Sequence, residues 1–173
     1  MGSPPFIVTA ELPGEIFAWA DGLRRAHFPP ERNKLAAHVT LFHSLAPSLR
    51  EELPRQLARV AGEWAPPAAE IDGLMDMDSG TALLVRSAGM QAIRSIIADH
   101  FYSMLTSQDQ GEKKLHITVQ NKVTRQQARD LQASLAAHLR PRKFAFTGLG
   151  LHLYRETHWE ALGIWKFRGK EHA

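Results

Sequence analysis

The chain has 173 residues, about the size of one domain, and its 44% hydrophobic and 23% charged residues exclude a disordered tail, a collagen and a coiled-coil rod. It contains no cysteine, which excludes disulfides, thiolate nucleophiles, cysteine-type zinc sites and iron–sulfur clusters, and makes a reducing cytoplasm the expected compartment. A formal charge of +3 with nine His, and an isoelectric point near 9.4, mildly favour an anionic substrate.

The opening Met1-Gly2-Ser3-Pro4-Pro5 lacks a basic leader and an apolar stretch, and Phe6 stands where a myristoylation signal needs Ser or Thr, so neither secretion nor lipid anchoring is expected. No run of about 18 apolar residues occurs, so no membrane partner is expected. Residues 6–12 are rich in β-branched side chains and closed by Pro13-Gly14, which predicts a strand and turn. Ile16, Phe17, Trp19, Ala20 and Leu23 then form an apolar stripe at helical spacing, stopped by Phe28-Pro29-Pro30. After the loop 31–37 comes a short strand over residues 38–42, His38-Val39-Thr40-Leu41-Phe42. Ser48 and Glu51 read as a capping box for a helix running to Trp64. Strands are predicted at 69–75 and 81–86.

The same order then returns. An amphipathic helix is predicted over 90–105, a polar loop over 106–112, and a strand over 115–119, Leu115-His116-Ile117-Thr118-Val119. Thr124 and Gln127 form a second capping-box pattern for a helix to Leu139, and strands at 143–154 and 159–167 make a hairpin across Glu156-Thr157-His158. His38 to His116 and Thr40 to Thr118 share one offset of 78 residues. A period that long, seen twice, indicates an internal duplication and not a solenoid. The expected class is therefore α+β: two pseudo-symmetric lobes with mainly antiparallel sheets flanked by helices, forming one bilobal domain over residues 1–173.

Because strand side chains alternate faces, His116 and Thr118 share one side while Leu115, Ile117 and Val119 take the other; His38 and Thr40 are placed alike against Val39 and Leu41. An imidazole and a hydroxyl aligned on the non-core face are costly unless they meet partners or a wet cleft. Nine His and eight Thr give about 0.4 chance His-x-Thr matches, and apolar flanks reduce this to roughly 0.1, so two at equivalent places are a strong signal. A single copy would be read as a strand His bonded to backbone.

His38-Val39-Thr40-Leu41 and His116-Ile117-Thr118-Val119 resemble the paired His-x-Thr/Ser-x signatures of the 2H phosphoesterase superfamily, which includes 2'-5' RNA ligase-like proteins and cyclic nucleotide phosphodiesterases. The resemblance implies an active-site cleft between the lobes, with His38 and His116 catalytic and the Thr40 and Thr118 hydroxyls holding phosphate oxygens. The chemistry agrees. Opening a 2',3'-cyclic phosphate needs a base for water, an acid for the departing ribose oxygen, and donors for the anionic oxygens. Two imidazoles supply the first two, one neutral and one protonated, with no assignment between them at this point. The implied partner is an RNA end or a small cyclic nucleotide, with no cofactor, no metal and no obligatory protein partner. Competing readings are a nucleotide- or RNA-binding module of the same fold without turnover, and a zinc-dependent hydrolase.

Lys113, Lys114, Lys122 and Arg125 bracket the second motif and Tyr154 and Trp159 flank the last hairpin. Lys113, Lys114, Lys122, Tyr154 and Trp159 are candidate substrate contacts through phosphate attraction and base stacking, against solvated-loop and packing readings. Arg140, Arg142 and Lys143 read as an exposed helix end, Asp72, Asp76 and Asp78 as turn and sheet-edge residues, and His43 as lying on the face opposite His38. No phosphate-binding P-loop, dinucleotide fingerprint or H-E-x-x-H occurs.

Overall fold

Alternation of short β-branched runs with amphipathic stretches produces β1 (Phe6–Glu11), α1 (Gly14–His27), β2 (Val39–Leu45), α2 (Glu52–Glu63), β3 (Ala68–Asp76), β4 (Thr81–Arg86), α3 (Ala88–His100), β5 (Leu115–Gln120), α4 (Arg125–His138), β6 (Arg142–Ala145), β7 (Gly148–Arg155) and β8 (His158–Lys166). The computed structural model describes residues 3–173; Met1 and Gly2, part of the opening segment read above for leader and myristoylation signals, lie outside the described residues. No helix among the described residues is long and apolar enough to cross a membrane.

The strands form two four-stranded antiparallel sheets, ordered β2-β1-β7-β8 and β5-β4-β3-β6, which is the expected α+β class. The lobes are not consecutive halves of the chain, however. The β3–β4 pair that follows the first unit joins the sheet of the second motif, and the β7–β8 hairpin that follows the second unit returns to the sheet of the first. Each His-x-Thr segment thus belongs to an edge strand, β2 or β5, and the two edges pack together. One apolar cluster runs through both sheets, joining Val8, Leu41 and Leu149 of the first to Leu83, Leu115 and Ile117 of the second, with Leu53 and Ile93 from the helices.

Two local expectations are corrected. The single strand over 143–154 is two strands with different partners: β6 pairs with β3, whereas β7 pairs with β1. Phe146 N–H donates to Pro67 O and Thr147 N–H to Glu11 O at the crossing between the sheets. Residue alternation persists through such a switch, so periodicity does not reveal it. The Ser48–Glu51 capping box is absent: Pro47–Leu49 is a 3-10 turn, Glu51 precedes α2 in helical conformation, and no side chain caps it. A capping side chain needs extended backbone at that position, which the preceding turn does not allow. The Thr124–Gln127 box forms as expected, and Ser87 caps α3 through Met90 N–H.

Candidate active site

His38 immediately precedes β2, which begins one residue later than expected, and His116 lies in β5. Val39, Leu41, Leu115, Ile117 and Val119 are at most 1% exposed, while His38, Thr40, His116 and Thr118 are half-buried on the opposite face. Both imidazoles are fixed in the same way. His38 Nδ1 lies 2.8 Å from Ala36 O and His116 Nδ1 lies 2.9 Å from Lys114 O, in each case the carbonyl two residues back. A carbonyl only accepts, so Nδ1 carries hydrogen in both rings and each neutral ring presents its lone pair at Nε2. Thr118 Oγ1 has only a weak sulfur acceptor, Met77 Sδ at 3.6 Å, and the Thr40 hydroxyl makes no hydrogen bond among the described residues. Both hydroxyls are therefore available to an anion.

The two rings differ in surroundings. Trp159 meets the His38 ring edge to face at 4.7 Å between centroids. Burial pushes the His38 pKa down to about 4, with the Ala36 carbonyl opposing and the positive charges of Arg24, His152 and His116 adding to the fall. His38 is thus a neutral acceptor at pH 7. A cavity of about 290 Å³ opens beside it, lined by Thr9, Glu11, Phe17, His152 and Trp159 among others.

Two buried arginines escaped the sequence reading. Arg24 on α1, 4% exposed, donates through Nη1 to Thr118 O at 2.9 Å and through Nε to Leu35 O at 2.8 Å and Asn33 Oδ1 at 2.9 Å. Arg94 on α3, also 4% exposed, donates to Leu41 O at 3.0 Å, Gly111 O at 3.0 Å and Asp109 O at 2.7 Å. Each arginine therefore ties the helix beside one motif to the backbone of the other motif's strand. Asp109, fully buried, completes the tie by accepting from His43 N–H at 2.8 Å and Ser44 N–H at 2.9 Å on β2. Burial alone would raise its carboxyl pKa; the His43 side chain and the two backbone donors outweigh it and hold the group below the usual range. Nothing in the sequence marks these arginines, because charged residues on amphipathic helices are ordinarily solvated.

The remaining candidates separate. Lys113 and Lys114 line a different groove of about 890 Å³ with Gln91 and Tyr102, and Lys122 sits at positive φ in the exposed β5–α4 loop. Trp159 lines the His38 cavity, whereas Tyr154, its cross-strand partner, is 41% exposed. His152, which has no motif around it, also lines that cavity, brought there by the pairing of β7 with β1. Arg142 is not an exposed helix end: it begins β6 and lies 4.0 Å over the Trp19 ring. Asp72 pairs with Arg86, Asp76 accepts from Asp78 N–H, and Asp78 pairs with Arg125. Among the described residues, no three His, Asp or Glu side chains come together in an arrangement that could hold a metal ion.

Comparison with known proteins bears on this arrangement. A family model described as the 2'-5' RNA ligase superfamily matches residues 12–158. No curated protein sequence matches the chain. Among solved structures, TT0787 of Thermus thermophilus is similar with a TM-score of 0.69 and 15% identity, covering 96% of this chain and 100% of that one. LigT of E. coli, solved with 3'-AMP, gives a TM-score of 0.60 and 19% identity over 96% of this chain and 99% of that one. The same protein solved with NADP+ gives 0.59 and 18%, over 99% and 100%.

Proposed function

The chain belongs to the 2'-5' RNA ligase superfamily of 2H phosphoesterases, and from that premise we propose that it is a metal-independent enzyme acting on a 2',3'-cyclic phosphate or a 2'-5' phosphodiester, at RNA ends or in small nucleotides. The observation that carries this reading is the matched tethering of both imidazoles through Nδ1, which aims two equivalent Nε2 atoms away from the backbone. That LigT is solved with 3'-AMP and NADP+ agrees with a nucleotide substrate. Residues 1–173 act as one bilobal domain, and a reducing cytoplasm is the compartment that the cysteine-free composition favours.

In hydrolysis, neutral His38 takes a proton from water through Nε2 as the water oxygen bonds to phosphorus. His116 gives its Nε2 proton to the ribose oxygen as the P–O bond to it breaks. The Thr40 and Thr118 hydroxyls donate to the non-bridging oxygens, whose charge grows in the transition state. Run backwards, the same groups exchange roles and form the diester. The assignment of His38 as base rests on its pKa near 4.

The test is the pH profile in excess chelator. With a cyclic phosphate substrate, kcat/KM should rise through about pH 4, where His38 gives up its proton, and fall again at higher pH, where the leaving oxygen finds no proton donor. The anionic substrate favours the imidazolium, so the acid limb of kcat should lie higher than that of kcat/KM. The observed constants belong to the interacting pair. Loss of turnover on chelation, restored by zinc or manganese and accompanied by a single pH limb, would replace this reading with a metal-bound hydroxide.

A smaller effect is expected at the hydroxyls. Thr40→Ala and Thr118→Ala each remove one donor to phosphate and should lower kcat by less than either His→Ala change, as steady-state kinetics would measure.

A further inference from the structure

A third imidazole lies beside the first motif in a hydrogen-bond chain with a fixed direction. The Thr9 hydroxyl donates to Glu11 Oε2 at 3.0 Å, and His152 Nε2 stands 3.0 Å from the same Thr9 oxygen. With its proton committed to the carboxylate, Thr9 accepts from His152, so Nε2 carries hydrogen and the neutral ring keeps Nδ1 as an acceptor. Burial lowers the His152 pKa, with Glu11 opposing. Gly150 makes the chain sterically feasible: a Cβ there would stand 2.5 Å from Thr9 Oγ1 and 2.9 Å from Glu11 Oε2.

These groups line the cavity of about 290 Å³ beside His38, near the lower end of small-molecule sites, roughly 300–1,000 Å³. Its walls include the flat indole of Trp159, 5.6 Å from the His152 ring between centroids, and the Phe17 ring. Its carboxylate, Glu11, has acceptor capacity to spare. Glu11 Oε1 makes no hydrogen bond among the described residues, and Oε2 keeps a further lone pair beyond the Thr9 bond. A flat ligand presenting two adjacent N–H donors complements such a carboxylate.

We propose that this cavity takes the base of the nucleotide whose phosphate lies at His38, and that Glu11 selects guanine. The inference rests on the phosphoesterase reading above. Guanine N1–H and the N2 amino group are parallel donors that meet both carboxylate oxygens. Adenine and cytosine set an amino group beside a ring-nitrogen lone pair, and uracil sets one N–H between two carbonyls, so each turns an acceptor toward the carboxylate. Facing lone pairs in a partly dry cavity discriminate more strongly than a missing bond.

The test measures kcat/KM for the 2',3'-cyclic phosphates of guanosine, adenosine, cytidine and uridine, with the wild type and Glu11→Gln. Guanosine should be preferred over uridine by roughly tenfold to a hundredfold, the scale of one bidentate base contact. In Glu11→Gln the side-chain amide offers adenine one donor and one acceptor, so the guanosine-to-adenosine ratio should fall at least tenfold. Equal values across the four bases in the wild type, or a Glu11→Gln loss of the same factor for all four, would overturn the proposal. If none of the four is turned over, the reading as a cyclic mononucleotide phosphodiesterase fails, and calorimetry still decides the base subsite: 3'-GMP must bind at least tenfold tighter than 3'-UMP, and equal Kd values refute it.

Discussion

His38→Ala and His116→Ala are each expected to lower kcat/KM for a 2',3'-cyclic phosphate by roughly 10²–10⁴, the usual contribution of one positioned proton-transfer group. Both side chains are half-buried on the face away from the core, and each hydrogen-bonds only to the backbone carbonyl two residues before it. Thermal unfolding of both variants should therefore stay close to wild type. The pH profiles should separate the roles: His38→Ala loses the acid limb and keeps the alkaline one, and His116→Ala does the reverse. Near wild-type turnover in either variant would exclude the two-imidazole mechanism, and gross unfolding would return the histidines to a structural role.

Arg94→Met should be the most destabilising single change near the site. The thioether keeps the stem's packing but leaves Leu41 O, Gly111 O and Asp109 O without their donor. An orphaned buried acceptor costs about 1–3 kcal/mol, and partial relaxation brings three of them to roughly 3–5 kcal/mol, within the range of large single-residue effects. For a chain of this length that corresponds to a fall in Tm of about 10 °C. Because Leu41 belongs to the strand that follows His38, kcat should drop in the still-folded variant at low temperature while KM changes less. Arg94→Lys keeps the charge and reaches at most some of the carbonyls, so it should fall between the two. Arg24→Met should act likewise through Thr118 O. A Tm within a few degrees of wild type, with unchanged kcat, would show that the arginine does not hold β2.

Local chemistry was legible in the sequence, and long-range partnership was not. The residue-by-residue alternation of His116 and Thr118 against Leu115, Ile117 and Val119 follows from strand geometry alone, as do the Thr124 cap and the α+β class. The return of the β7–β8 hairpin to the first sheet depends on which edges meet in space, and a strand reads the same beside either neighbour. The capping box at Ser48 failed because Pro47 starts a tight turn that carries the chain into α2 already helical. Arg24 and Arg94 look like ordinary solvated helix residues until the opposing strand arrives to accept their hydrogens. His152 has no motif, and it enters the cavity only because β7 pairs with β1 and aligns it with Thr9 and Glu11.

Phosphorus NMR of a 2',3'-cyclic nucleotide incubated with the protein in excess chelator tests the central claim most directly. The account predicts that the cyclic-phosphate resonance is replaced by a single monoester resonance with the wild-type protein, and that it persists with His38→Ala and with His116→Ala over the same period. Persistence of the cyclic resonance with wild type, or its disappearance at the wild-type rate with either variant, would contradict it.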